Sequence, residues 1–407
     1  MAEQDYHSNK VKAPPEVVEA AGRKLDSDVM IALMEACIKL DASDLHRTNG
    51  EPPVFRRHGR MYRVDGYKTL DHDDMVAATI FFIGEDDLAN RYWQRFHESG
   101  GADIAYAMED ASARFRVSIF QQKGTPAIAL RMIPVDMLTF EQLGLPVQQV
   151  QELLNRPRGI VLLTGPTGCG KTTTIASMID YINRERDTHI ITIEDPIEYY
   201  HHGKRSLLNQ REVGVDVSSF SEAVVRNMRS DPDVMLVGEM RDLETMRACL
   251  QAAETGHLVL STLHTVSAPK TVDRLVTGFP ANEQEEIRAM TSTSLLAVFS
   301  EELIPRKDGK GRVAAYEIMI GEPGGSPAVG NLIRERKTSQ MRGAIQSGRA
   351  LGMQLLEANL ANMIRDDLIE FEEGYNRANQ KSDLLTFLDV YDIPEGYLAA
   401  TKESDGG

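Results

Sequence analysis

Several groups of residues in this chain have the types and spacing to act on phosphate. The stretch GPTGCGKTTTIASM, residues 165–178, runs Gly165-x-x-x-x-Gly170-Lys171-Thr172. Small residues at Gly165, Thr167, Gly168, Cys169 and Gly170 let the main chain wrap phosphate oxygens, with N–H groups and a helix N-terminus facing the negative charge. Lys171 would bridge the β- and γ-phosphates, the Thr172 hydroxyl would ligate Mg²⁺, and Thr173 continues the helix start. A nucleotide triphosphate with Mg²⁺ is therefore the expected ligand.

Three further stretches add groups suited to hydrolysis. In PDVMLVGEM the apolar run Val234 to Val237 delivers Glu239 to a strand end, where a carboxylate can orient magnesium-bound water. A carboxylate at a strand end is commonplace alone and gains meaning beside the phosphate loop. In ITIEDPIE, Glu194, Asp195 and Glu198 follow another apolar run, and a carboxylate near the γ-phosphate can act as general base on water. In TGHLVLSTLHT, His257 and His264 flank a third run. Their spacing of seven does not fit two ligands one helical turn apart, so a γ-phosphate sensor fits better than a metal pair, while for either histidine alone a structural role is the better reading.

These groups need elements that converge. The runs GIVLLTG, HIITIEDP, VMLVGEM and HLVLSTLHT alternate with amphipathic stretches, the pattern of strands buried on both faces of a mainly parallel sheet. The phosphate loop follows the first run and precedes the helical KTTTIASMIDYIN, as its mechanism requires. EEIRAMTSTSLLAVFSEEL reads as one amphipathic helix with Ile287, Met290 and Leu295 in the core. Upstream, DVMIALMEACIKLDAS places Val29, Leu33, Ala36 and Leu40 on a helical stripe, and RMYRVDG, ARFRVSIFQQ and AIALRMIP read as short strands. The predicted organisation is a polar flexible tail (1–24), a small α+β domain (25–134), a linker (135–145), an α/β nucleotide-binding domain with C-terminal helices (146–370) and a helical or flexible extension (371–407).

Bulk properties narrow the class. At 407 residues the chain exceeds what one hydrophobic core usually holds. Its 61 acidic against 45 basic residues give a net charge of −16, which disfavours nucleic acid as the direct partner. Cys37, Cys169 and Cys249 are scattered without a C-x-x-C, against a zinc module or a disulfide framework. With no secretory signal and no run of 18 apolar residues, a cytoplasmic protein is expected. There is no N-K-x-D for guanine and no L-S-G-G-Q of transporter ATPases, which points to an ATPase that couples hydrolysis to movement.

Together with SDPDVMLVGEMRDLETMRACLQAAETGHLVLSTLHT and GRVAAYEIMIG, these motifs resemble the PilT family of type IV pilus retraction ATPases, within the secretion ATPase superfamily. ASDLHRTNGEPPVFRRHGRMYRVDG and NLIRERKTSQMRGAIQSGRALGMQLLEANL extend the likeness to about residues 25–370. The resemblance implies a C-terminal RecA-like ATPase domain, a smaller N-terminal PAS-like α+β domain, and assembly as a homohexamer. It makes Lys171 and Thr172 the Walker A pair, Glu239 the Walker B glutamate and metal ligand beside Thr172, Glu198 the catalytic glutamate, and His257 and His264 the histidine box. It also implies arginines brought to the nucleotide from the N-terminal domain, for which Arg116 and Arg131 are the candidates.

The implied cofactors are ATP and Mg²⁺, and the implied partner is an inner-membrane pilus platform protein. Other pilus ATPases are further candidate partners, and attachment to the inner face of the membrane would be peripheral. One departure stands out. Residues 328–335 read AVGNLIRE, with Gly330 where the family carries a cationic residue, after a Gly-rich GEPGGSP. Pilus assembly, a conjugative pilus or secretion motor, and an accessory ATPase that modulates a principal motor stay open beside retraction.

Overall fold

The computed structural model describes residues 11–12, 26–57, 60–84, 87–108, 113–133, 137–388 and 393–394. Of the tail expected over 1–24, only Val11–Lys12 lies among them, as a short strand. By its contacts the chain forms two units, Met1–Asp136 with Pro196–Tyr200, and Met137–Asp195 with His201–Gly407.

Among the described residues the N-terminal unit has seven strands: β1 (Val11–Lys12), β2 (Asp44–Arg47), β3 (Val54–Arg57), β4 (Arg60–Asp65), β5 (Gly101–Ala107), β6 (Arg114–Gln122) and β7 (Thr125–Ile133). They lie in the order β1-β4-β3-β2-β7-β6-β5. Every pairing except that of β1 with β4 is antiparallel. Along β6 the alternation of strand side chains buries Phe115, Val117 and Ile119, which leaves Arg114 and Arg116 on the opposite face. The helix Asp26–Lys39 buries Val29, Met30, Leu33, Met34, Ala36 and Cys37, a face that includes three of the four expected stripe residues.

The C-terminal unit carries β8 (Gly159–Thr164), β9 (His189–Glu194), β10 (Leu207–Glu212), β11 (Val234–Val237), β12 (Leu258–Leu263), β13 (Leu295–Pro305) and β14 (Arg312–Ile320). The order is β10-β9-β11-β12-β8-β13-β14, parallel throughout except for β14 against β13. All residues of β8, β11 and β12 are buried, as expected of mainly apolar strands covered on both faces. Helices such as Lys171–Glu185 and Leu243–Glu254 make the crossovers. The carboxyl ends of the parallel strands therefore share one edge, where open α/β sheets hold their ligands.

Two stretches differ from the sequence expectation. The helix expected across EEIRAMTSTSLLAVFSEEL ends at Ser294, and Leu295 opens β13. LLAVF is short enough that its apolar spacing suits either element, and pairing with both β8 and β14 decides for strand. Ile287, Met290 and Leu295 are nonetheless all buried. The stretch expected as a linker contains the capped helix Phe140–Leu143, and Phe140, Leu143 and Leu145 are buried in the C-terminal core. In the C-terminal extension, helices Phe371–Arg377 and Lys381–Phe387 bury Phe371, Leu384 and Leu385 against Ile304 of β13 and Leu360.

Candidate functional site

The phosphate loop is formed by residue types that tolerate its backbone. Gly165, Gly168 and Gly170 have φ of +141°, +77° and +111°, the left-handed side that disfavours a Cβ. Gly170 caps the helix Lys171–Glu185, so the first N–H groups of that helix open onto the loop. Lys171 is buried, and its Nζ donates to the carbonyls of Gly165 and Pro166 at 2.8 and 2.9 Å. An ammonium held on its own loop is positioned to exchange those carbonyls for phosphate oxygens. Thr172 and Thr173 are half-buried on the first turn, whereas Thr167 and Gly168 are exposed. Cys169 is buried, and burial pushes its thiol above the usual range, so it fills space rather than reacts.

Beyond β11, Gly238 leads to Glu239 at the carboxyl edge. Oε1 of Glu239 lies 2.8 Å from Nε2 of His264, and Oε2 accepts from Nε of Arg241 at 2.9 Å. These groups, with Thr265 and Arg274, line a cleft of about 340 Å³. His264 arrives there because it follows β12, whose six residues run parallel to β11. His257 precedes the same strand and so stands at the opposite edge of the sheet, about 23 Å away at about 3.3 Å per residue. Its Nδ1 lies 2.9 Å from the Ala252 carbonyl. Within this chain the expected histidine pair is separated by the strand it flanks.

The acidic stretch divides by role. Glu194 is buried at the end of β9 and accepts from Thr192 Oγ1 at 2.7 Å and Gln210 Nε2 at 3.2 Å. Asp195 is exposed. Glu198 lies in Pro196–Tyr200, the segment that belongs with the N-terminal unit. There Arg116 Nη1 donates to Glu198 Oε1 at 3.2 Å, and the Arg114 guanidinium sits over the Tyr200 ring, 3.1 Å from its centroid. Arg131 is the register partner of Arg116 on β7, but its Nε donates to Asp44 at 2.9 Å. The expected site residues thus divide between the units: Arg116 pairs with Glu198 in one, and Lys171, Thr172, Glu239 and His264 follow the carboxyl ends of the parallel strands in the other, where Glu239 contacts His264.

Sequence reading misses two features. Arg114 shares a face with Arg116 through the period of two along RFR, a signal available once the strand is recognised. Glu301, in FSEEL, falls within the stretch expected as a helix. On β13 its side chain lies beneath the phosphate loop, and a Cβ added at Gly170 would collide with its Oε1. Thr174 Oγ1 donates to Glu301 Oε2 at 3.0 Å, and the Tyr316 hydroxyl lies 3.4 Å from Thr174 Oγ1. Burial pushes the Glu301 carboxyl up to about 8, against smaller opposing effects of the Thr174 hydrogen bond and Lys171.

Known proteins resemble this chain along most of its length. Residues 23–386 match the family described as Type II/IV secretion system protein. The chain is 47% identical over 346 residues to the type IV pilus retraction ATPase PilT of Pseudomonas aeruginosa, a match covering 85% of this chain and 97% of that one. It is 44% identical over 354 residues to a twitching motility protein of Neisseria gonorrhoeae, covering 86% and 91% of the two chains. The crystal structure of a pilus retraction motor, PilT with bound ADP, superposes with a TM-score of 0.78 at 41% identity, over 88% of this chain and 99% of that one.

Proposed function

The chain belongs to the type II/IV secretion system protein family, as an ATPase of its PilT branch, and from that premise we propose that it is the motor of type IV pilus retraction. Its mainly parallel sheet is the RecA-like ATPase unit, and the antiparallel N-terminal sheet with its helices is the smaller α+β unit, PAS-like in class. The observation that carries the retraction reading is the match to a pilus retraction ATPase over 85% of this chain and 97% of that one.

In this reading Lys171 leaves the Gly165 and Pro166 carbonyls to stabilise charge on the transferring phosphoryl group of ATP. Thr172 and Glu239 would hold Mg²⁺, an ion that needs only one or two protein oxygens besides phosphate and that neutralises phosphate charge when bound. Glu198 takes a proton from the attacking water, and Arg116, paired with it at 3.2 Å, orients that carboxylate and supplies a cation to the developing charge. Arg114 and Arg131, on the same sheet, support that face. His264 reports γ-phosphate to the segment after β12 through its contact with Glu239. The proposed working form is a homohexamer at the cytoplasmic face of the inner membrane, acting through a pilus platform protein. Association with the membrane is peripheral in this reading. No helix among the described residues is long and apolar enough to cross a membrane.

A second reading, pilus assembly or secretion, rests on Gly330. Glu322 of the Gly-rich loop occupies the space a side chain at 330 would take, and its carboxylate accepts from Arg334 at 2.5 Å. Deleting the gene in its host separates the two. Excess surface pili with loss of surface motility is the outcome expected for retraction, whereas a bald cell would point to assembly.

Within the site, His264→Ala is expected to lower steady-state phosphate release about tenfold while nucleotide affinity changes little, because the imidazole touches Glu239 and not the phosphate loop. An equal fall in affinity and turnover would place His264 on the nucleotide itself.

A further inference from the structure

A carboxyl group beneath a phosphate-binding loop is an electrostatic problem. Gly165 and Gly170 both lie against residue 301, the first against its carbonyl and the second against its side chain, so Glu301 forms the floor of the loop. The side chain is buried, as are Thr174 and Tyr316 beside it. The hydroxyls of Tyr316 and Thr174 lead in series to Oε2.

The titratable groups facing Glu301 come from each neighbouring element. The helix supplies Lys171, which is bonded to loop carbonyls, the loop supplies the thiol of Cys169, and β14 supplies the phenol of Tyr316. Next to it on β13, Glu302 faces Arg377 instead. An ionised Glu301 would add a buried negative charge next to the phosphates and compete with them for Lys171. A neutral carboxylic acid supports the same loop without that repulsion.

We propose that Glu301 is a positioning residue of the nucleotide site, a carboxyl that must carry its proton for the loop above it to hold phosphate. This rests on the ATPase reading and adds a pH limit to it. A floor that loses its proton in mildly alkaline solution admits nucleotide poorly there. Nucleotide bound at such pH draws a proton onto Glu301, because the phosphates disfavour its charged form.

The test is calorimetric titration of the full chain with ADP in the presence of Mg²⁺, comparing wild type with Glu301→Gln, whose amide keeps the size and is never charged. For wild type the Kd is expected to rise about tenfold between pH 7 and pH 9.5, and for the variant to change less than about twofold. Parallel pH profiles would overturn the proposal. A second readout needs no variant. At pH 8.5, heats measured in buffers of different ionisation enthalpy should reveal net proton uptake by wild type on binding ADP, and zero uptake would equally overturn it. Failure of ADP to bind at any pH sinks the nucleotide reading together with this one, whereas binding without proton linkage sinks this one alone.

Discussion

Lys171→Ala is expected to abolish ATP hydrolysis, with turnover falling at least about a thousandfold. In the structure this ammonium is buried and held by two carbonyls of its own loop, so its position is set before any phosphate arrives. Alanine removes the cation from the place where charge develops and leaves both carbonyls without that donor. Phosphate release at saturating ATP measures the first effect, and binding of a fluorescent nucleotide measures how much affinity survives. Residual turnover within tenfold of wild type would mean that Lys171 does not touch the transferring group. A circular dichroism spectrum like that of wild type shows that the loss is chemical, since the lysine sits at the loop rather than in the apolar core.

The second large effect is expected from Glu198→Gln. The amide keeps the size of the side chain and can still accept from Arg116, but it cannot take a proton from water. Turnover should fall about a hundredfold to ten-thousandfold while nucleotide binding stays intact. Wild-type turnover by this variant would remove Glu198 from the reaction. Its pairing with Arg116 allows a finer measurement. If the arginine works through the glutamate, the double variant with Arg116→Ala should lose less than the product of the single losses. Independent, multiplying losses would instead give Arg116 a separate interaction with the nucleotide.

Most of the proposed phosphate-handling site is legible in the sequence because it depends on short contiguous patterns. Gly165 to Thr172 announces itself by backbone demands that few residues satisfy. Glu239 and His264 can be placed because a mainly apolar run in a parallel sheet has one polar edge for its carboxyl end. What stays hidden depends on pairing between distant segments. Residues 295–299 suit a helix or a strand equally until β8 and β14 are beside them, and Glu301 cannot be seen under the loop until that choice is made. Likewise ITIEDPIE looks like one acidic cluster, although Glu194 ends a strand of one unit and Glu198 belongs with the other. For the histidines, sequence proximity conceals the length of β12 between them.

The excursion of Pro196–Tyr200 also governs how this protein can be taken apart. The backbone crosses between the two units at residues 136–137, again at 195–196, and returns at 200–201. A fragment that begins at residue 137 would keep the five-residue excursion but lose the surroundings of its buried Ile197 and Tyr199. It would thus present apolar surface to solvent, and Glu198 would lose Arg116. A fragment that ends at 136 would in turn lack five residues of its own unit. Cut at residue 136, neither piece therefore keeps all the residues from which its own unit is built.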